Sequence, residues 1–570
     1  MLWMLACAPH TTAPVAVDVA PPIDERLDAV RFELAQGRET PVVTDLSQLP
    51  PAEKAMVAHL QVAAQAIERL YLRQRGAFGM TPTDPESALL FERNQGPWCE
   101  SGATTELPEC SALVGAPPYL VGLYPEELQV GDFCTDLETR NAEVMDPFHV
   151  ARLEDGELVA VPYTEAWPED MAAASSALSA AADALEGTDE LALQAYLRAA
   201  AQAFVDNDWL RADEAWAAMN QRNSSWYLRV GPDETYWEPC SRHAGFHMVF
   251  ARVNLAGLVW QDALSPVKQG MEAELARLAG PPYLERTVGF DLPEFIDIVL
   301  NAGDSRQPLG ATVGQSLPNW GPVADAGGRT VAMTNLFNDP RTLEGRRRTM
   351  ESVFCPATMA LWTPDPEPFL VTTVLHEAAH NLGPISGHRV EEQSDEERFG
   401  GPLASMLEEL KAQTAALYFT EYLAAQGVLP AEMVMPMHMS DVAWALAQVS
   451  QGMSTPEGGS KAYPRLAAIQ LGWLMDEGAL SWEPGLAANG ADTGCFELHP
   501  EGVPAAIDSL AAEVLRIKGA MDVPAAQALQ ARYATPAEGP PAWHAEVAER
   551  FRREPQPSFT YTLLLEPPAP

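Results

Sequence analysis

The chain has 570 residues, 47% of them hydrophobic, enough for one large core or two lobes. It carries 36 basic against 79 acidic residues, a net charge of −43, which repels nucleic acid and anionic membrane surfaces and attracts a cationic peptide terminus. No apolar run reaches the roughly eighteen residues that a membrane-crossing helix needs.

Met1 to Cys7 reads as the end of a bacterial lipoprotein signal, with small Ala6 before Cys7, although the basic leader of such a signal is missing. Ala8 to Pro22 is a Pro/Ala/Thr-rich tether, so residues 1–40 are expected to be signal remnant and disordered linker. The expected location is the periplasm or outer membrane, with contact to the membrane only through a lipid on Cys7; if the signal reading fails, the cytoplasm. With Cys7 set aside, Cys99, Cys110, Cys134, Cys240, Cys355 and Cys495 remain, an even number that suits up to three disulfides. Cys99 and Cys110 are the nearest pair. There is no C-x-x-C, which argues against a cysteine-based zinc or redox site.

Leu46 to Gly76 has helical periodicity, with Asp45 or Ser47 as cap, Pro50-Pro51 in the first turn, and Leu60, Ala64, Ile67, Leu70 and Leu72 on one face. A Pro/Gly-rich stretch follows, from Ala77 to Asp132. Val159 to Tyr163 predicts a short strand, and Met171 to Leu185 and Leu191 to Phe204 predict Ala-rich helices. Ser224 to Leu258 is mixed, and His243 and His247 within it read as core or cleft-lining residues. Leu292 to Leu300 is apolar and ends in a turn, Asn301 to Asp304. Thr312 to Leu317 and Thr330 to Leu336 predict strands around a Gly-rich turn at Gly321 to Gly328. From Phe369 the chain turns helical, with further helices over Pro402 to Gln426, Val442 to Gly452, Tyr463 to Asp476 and Ala505 to Lys518.

The first of these helices carries His376-Glu377-Ala378-Ala379-His380, followed by a stop at Gly383-Pro384. Residues four apart share a helix face, so His376 and His380 can grip one metal ion, and Glu377 can reach a metal-bound water as general base. A third protein ligand is required. His388 comes two residues too late for an H-E-x-x-H-x-x-G-x-x-H site, whose last position here is Ser386. Glu408 and Glu409, on the following helix, point about 100° apart, so one of them can face the metal squarely.

His376 to Pro384 (H-E-A-A-H-x-L-G-P) and Leu407 to Ala412 (L-E-E-L-K-A) together resemble the dipeptidyl peptidase III family of zinc peptidases, in its bacterial branch. Asp45 to Lys54, Ile67 to Gln74, Phe91 to Trp98, Val161 to Ala166, Gly231 to Tyr236, Asn301 to Asp304 and Leu317 to Asn319 follow in the family's order, over roughly residues 45 to 480. The resemblance implies an α+β, mainly helical fold with two lobes around a wide cleft: a helical lobe holding one Zn²⁺ and a mixed lobe with a small β-barrel. The mixed lobe is expected over 41–254, with a returning segment near 310–348, and the helical lobe over 255–570. It implies Glu409 as third ligand and Glu408 behind it. It implies a peptide substrate, with Glu234 on its α-amine and Tyr236 and Asn319 on its backbone.

Two positions depart from the family. Gln413 stands where an acidic residue would polarise a ligand histidine, and Tyr463 stands where a histidine would stabilise the oxyanion, with Arg465 close in sequence as a source of charge. Ser316 replaces a further substrate-binding Asn. The reading is a zinc metallopeptidase that removes dipeptides; the alternatives are a weakened or inactive peptide-binding lipoprotein that retains the metal, and a metal-dependent hydrolase of another amide.

Overall fold

The computed structural model describes residues 24–566 apart from positions 106, 116–120, 132, 236, 290–292, 313, 326–327, 338, 386–387, 454–460 and 536–538. Cys7 and its tether, and Tyr236, therefore lie outside the described residues.

Two cores divide the molecule. The first gathers Leu60, Ile67 and Leu70 with residues from Tyr163 to Phe250 and with Ile296 to Leu336, and Phe559 near the C-terminus also reaches it. The second gathers Trp260 to Tyr283 with residues from Met350 to Leu515. The five-stranded sheet lies in the first core, short strand pairs occur elsewhere, and helices predominate, giving the mainly helical α+β architecture the sequence implies.

The first core is built on helix α1 (Pro51–Gln74), α2 (Pro168–Ala184) and α3 (Leu191–Asp206) against a five-stranded sheet. Helix α1 starts with prolines and has no side-chain cap, because its N-cap is Pro50; the Asp45 carboxylate accepts from the Ser47 amide at 2.9 Å instead. Its buried face includes Leu60, Ala64, Ile67 and Leu70, with Tyr71 rather than Leu72 extending it.

The sheet comprises β1 (Trp226–Asp233), β2 (Gly245–Val253), β3 (Glu294–Gly303), β4 (Gly314–Leu317) and β5 (Arg329–Met333), in the spatial order β1-β2-β3-β5-β4. Only β3 and β5 run parallel; the other neighbours are antiparallel. It is an open sheet, and among the described residues no closed barrel forms, which corrects the small β-barrel expected above. The reason lies at its two ends. Strand β1 is buried along its whole length, and Tyr196 of α3 exchanges hydrogen bonds with the Val230 N–H and C=O, so its outer side is taken by a helix. Strand β4 has only four residues and pairs with β5 alone among the described residues. Closure needs two free edges that can meet.

The helical part consists of α4 (Lys268–Ala279), α5 (Glu367–His380), α6 (Gly401–Ala425), α7 (Ala431–Val449), α8 (Ala462–Asp476) and α9 (Val503–Ala520). Helix α7 begins eleven residues before the predicted Val442, and Pro436 lies inside it. A proline inside a helical stretch reads as a boundary in sequence; here it falls past the first turn, where its missing N–H forgoes the hydrogen bond to the Glu432 carbonyl. Helices α5 and α6 pack side by side, with α7, α8 and α9 around α6. A parallel ribbon of Gly37–Asp45 and Gln556–Leu564 joins the two ends of the described chain. Three disulfides form, Cys99–Cys110, Cys134–Cys240 and Cys355–Cys495, the first being the pair that proximity suggested.

Candidate metal centre and cleft

Helix α5 is apolar along most of its length, with Val371, Val374, Leu375, Ala378 and Ala379 buried in the second core. That packing fixes the rotation of the helix and turns His376, Glu377 and His380 toward α6 and the cleft. The helix ends as its sequence predicts: Gly383 takes a positive φ of 66°, and the buried Lys411 ammonium donates to the carbonyls of Ala379 (2.6 Å) and Leu382 (3.2 Å). A cation at this end completes the last carbonyls and favours the helix dipole.

His376 Nε2 and His380 Nε2 lie 3.1 Å apart, and Glu409 Oε2 lies 3.3 and 3.6 Å from them. Bonds of about 2.0–2.1 Å at tetrahedral angles give ligand–ligand edges of roughly 3.4 Å, so this triangle has the size of one face of a zinc site. The proton positions agree. His376 Nδ1 donates to Gln413 Oε1 at 2.8 Å, and His380 Nδ1 donates to Glu408 Oε1 at 2.9 Å. With Nδ1 as the donor in each ring, both Nε2 atoms turn lone pairs inward, toward Glu409 Oε2. Three acceptors facing one another at this distance fit a cation. Burial alone would push the His376 imidazole down, yet Glu409 and Glu377 outweigh it and hold it above its ordinary value. These three residues form the group among the described residues that could hold a metal ion.

The two glutamates divide the work as their positions on the helix require. Glu409 faces the centre. Glu408 faces sideways, bonded to His380 and to two buried lysines, Lys411 at 2.9 Å and Lys518 at 2.6 Å, and Lys518 also meets Asp395 at 3.0 Å. Burial would raise Glu408, but Lys411 and Lys518 hold it well below the usual carboxylate range. Behind His376 the arrangement differs. Gln413 accepts from the imidazole and donates through Nε2 to Asp441 Oδ1, while Gln470 Nε2 donates to Asp441 Oδ2. The acidic group that seems missing at position 413 stands one residue further out, at Asp441. Burial pushes the Asp441 carboxyl up to about 7.

A cavity of about 250 Å³ opens beside the centre, lined by His376, Glu377, Gln413, Asp441, Tyr463, Trp444 and others including Gly314 of β4. Tyr463 leans edge-on against Trp444 and its hydroxyl bonds to Glu409, so this phenol is at the site. Arg465 is not among the lining residues, and its Nε donates to the Met453 carbonyl at 3.3 Å. His388 is also elsewhere, bonded to the Gly519 carbonyl.

Glu234 and Asn319, 85 residues apart in sequence, meet: Asn319 Nδ2 donates to Glu234 Oε2 at 3.0 Å, and the Glu234 N–H donates to Asn319 Oδ1 at 3.3 Å. Glu234 follows β1 directly, and Asn319 follows β4 after Pro318. The end of β1 is fixed by charge. Arg229 holds Asp233 through two hydrogen bonds of 2.7 and 2.6 Å and holds Asp213 at 2.6 Å, and His247 Nε2 meets Asp233 Oδ2 at 2.6 Å. His243 is buried between Tyr124 and the Val144 carbonyl, so both histidines serve the core.

No family model matches the chain. The structure of dipeptidyl peptidase III from Caldithrix abyssi superposes with a TM-score of 0.78 at 22% identity, covering 93% of this chain and 98% of that one. The structure of dipeptidyl-peptidase III from Corallococcus sp. strain EGB gives a TM-score of 0.70 at 22% identity, with 93% and 96% covered. The chain thus has the fold of these dipeptidyl peptidase III structures. It is also 23% identical over 390 residues to a protein of Arabidopsis thaliana described as Nudix hydrolase 3, an alignment that takes in 67% of this chain and 46% of that protein. The chain therefore spans about half the length of that relative.

Proposed function

We propose that this chain is a zinc metallopeptidase that acts on peptides from the N-terminus, as a dipeptidyl peptidase does. The observation that carries the reading is the inward triangle of His376 Nε2, His380 Nε2 and Glu409 Oε2, with Glu377 beside it and outside the ligand set. These three residues would hold one zinc ion, which when bound lowers the pKa of water at its open position and polarises a carbonyl.

The chain supplies the remainder. Glu377, on the cavity wall, takes a proton from the attacking water and delivers it to the leaving amine. Tyr463, on the same wall, donates to the developing oxyanion, exchanging its bond to Glu409 for one to substrate. Among the described residues β4 pairs along one side alone, and its other side lies next to Glu377; an extended peptide adds to such an edge through main-chain hydrogen bonds. Paired antiparallel to β4, the peptide would run with its α-amine toward Asn319 and Glu234, a carboxylate and an amide oxygen suited to an ammonium. Tyr236 belongs to the same proposed end.

Asp441, placed behind Gln413, supports the active enzyme over the weakened binder. Export, with a lipid on Cys7, is part of the proposal, and three disulfides suit an oxidising compartment. The test is turnover of a panel of dipeptidyl-arylamides with and without chelator. The expected result is hydrolysis that chelator removes and zinc restores. Zinc-loaded protein that binds the peptides without cleaving them would overturn the enzyme reading in favour of a peptide-binding protein.

A further inference from the structure

We propose that Asp441 is a positioning residue for the metal centre: it fixes the amide of Gln413, and through it the tautomer of His376. This inference rests on the zinc reading above.

A glutamine amide is ambivalent. With its oxygen toward an imidazole Nδ1, it accepts, the ring keeps its proton on Nδ1, and Nε2 is free to ligate. With its NH₂ group toward Nδ1, it donates, the proton moves to Nε2, and the ring cannot bind metal. The two orientations have nearly the same shape, so packing alone does not choose between them. Something must recognise the amide's other end.

Asp441 does so. It lies on α7, 28 residues after Gln413 in sequence, and is 2% exposed, beside Gln413 at 6% and Gln470 at 1%. Above the value of about 7 to which burial raises it, the Asp441 carboxyl is ionised and only accepts. With Gln413 Nε2 on Oδ1 and Gln470 Nε2 on Oδ2, each carboxylate oxygen already holds an N–H donor. Turning the Gln413 amide over would set its oxygen against Asp441 Oδ1 and its NH₂ against His376 Nδ1, so both hydrogen bonds would be lost. His380 needs no such device, because Glu408 can only accept from it.

The carboxylate also acts on charge. It polarises the amide, which strengthens Oε1 as acceptor and makes the imidazole a better donor to a cation. The neutral spacer keeps a further carboxylate off a ring that already has Glu377 and Glu409 around it.

The test uses the full chain with Asp441→Asn and with the double variant Asp441→Asn/Gln413→Glu. Zinc affinity is measured by competition with a chromophoric chelator, and the His376 tautomer by ¹⁵N NMR of histidine-labelled, metal-free protein at mildly alkaline pH. Asp441→Asn, nearly isosteric, is expected to weaken zinc binding by roughly 10–100-fold and to move the His376 proton to Nε2. The double variant is expected to recover most of the affinity, since a carboxylate at 413 accepts in either orientation. Unchanged affinity and tautomer in Asp441→Asn would overturn the proposal. So would a loss, or a failure to fold, that Gln413→Glu does not repair, because Asp441 would then matter for packing alone. If the wild-type chain itself binds no zinc, it is the metallopeptidase reading that fails, and the tautomer in the metal-free chain still decides the role of Asp441.

Discussion

Gly314, on the open edge of the sheet, faces Glu377 so closely that a β-carbon there would lie 3.2 Å from the Glu377 carboxylate oxygen. The glycine is required by approach and not by backbone angle, since a side chain would occupy the room in which Glu377 meets water and substrate. Gly314→Val should lower kcat/KM on dipeptidyl-arylamides by about 10-fold or more while zinc content stays at the wild-type level. Wild-type turnover in that variant would show that substrate does not pass between β4 and α5.

Glu377→Ala should keep the metal and lose hydrolysis, by roughly 10²–10⁴-fold, because Glu377 contributes proton transfer and no ligand atom. Glu409→Ala should lose zinc. Metal analysis of the purified variants checks both, and full zinc content in Glu409→Ala would reject the ligand assignment.

Glu408→Ala separates two kinds of support. From helix spacing alone, Glu408 is a neighbour whose loss mostly spares the metal. In the structure it neutralises Lys411 and Lys518, which are 0% and 1% exposed. Removing one partner of a buried ion pair costs on the order of 3–5 kcal/mol, and here Lys411 would lose its carboxylate while Lys518 would keep Asp395 alone. Glu408→Ala should therefore lower the denaturation midpoint sharply and weaken zinc as well. Glu408→Gln, which keeps an acceptor for His380, should be milder on zinc than on stability. A Glu408→Ala protein as stable as wild type would show that the lysines are compensated elsewhere.

The sequence made the first ring of the site legible because helical spacing is a short-range rule. His376 and His380 are four apart, and the adjacent Glu408 and Glu409 must point differently. The fold class was legible from where strands give way to helices, and Cys99–Cys110 from proximity. What lay beyond reach depends on contacts between distant segments. Nothing in Met439-Ser440-Asp441 announces that its carboxylate backs Gln413, although a lone acid among Met437, Val442 and Ala445 on a buried helix face was a signal that it needed donors. Gly314 looks like any glycine of a predicted strand until the fold brings it against Glu377 of α5. The open sheet was hidden for the same reason: whether a sheet closes depends on what covers its end strands, here Tyr196, and not on the strand sequences. Arg465 sits two residues after Tyr463, yet a helix turns it about 200° away, toward Met453.

The last prediction concerns pH and the amine end of the cleft. Asp233 closes β1 immediately before Glu234. Burial would raise its carboxyl, but Arg229 and His247 outweigh burial and hold it down at about 2, against 3.8 for the free group. A carboxyl lowered on folding adds stability above its unfolded pKa and loses it as pH falls through the folded value. The contribution is therefore complete above about pH 4, fades between about 4 and 2, and amounts to roughly 2 kcal/mol. Asp233→Asn should remove that part of the acid-unfolding slope. It should also leave Arg229 with Asp213 as its remaining carboxylate, lowering stability at neutral pH. Because β1 sets the position of Glu234, the same variant should raise KM for substrates with a free α-amine and leave kcat nearly unchanged. Glu234→Ala should do so more strongly, and N-acetylated peptides should not distinguish either variant from wild type. Equal KM values for free and acetylated substrates in the wild-type enzyme would show that Glu234 and Asn319 do not receive the amine.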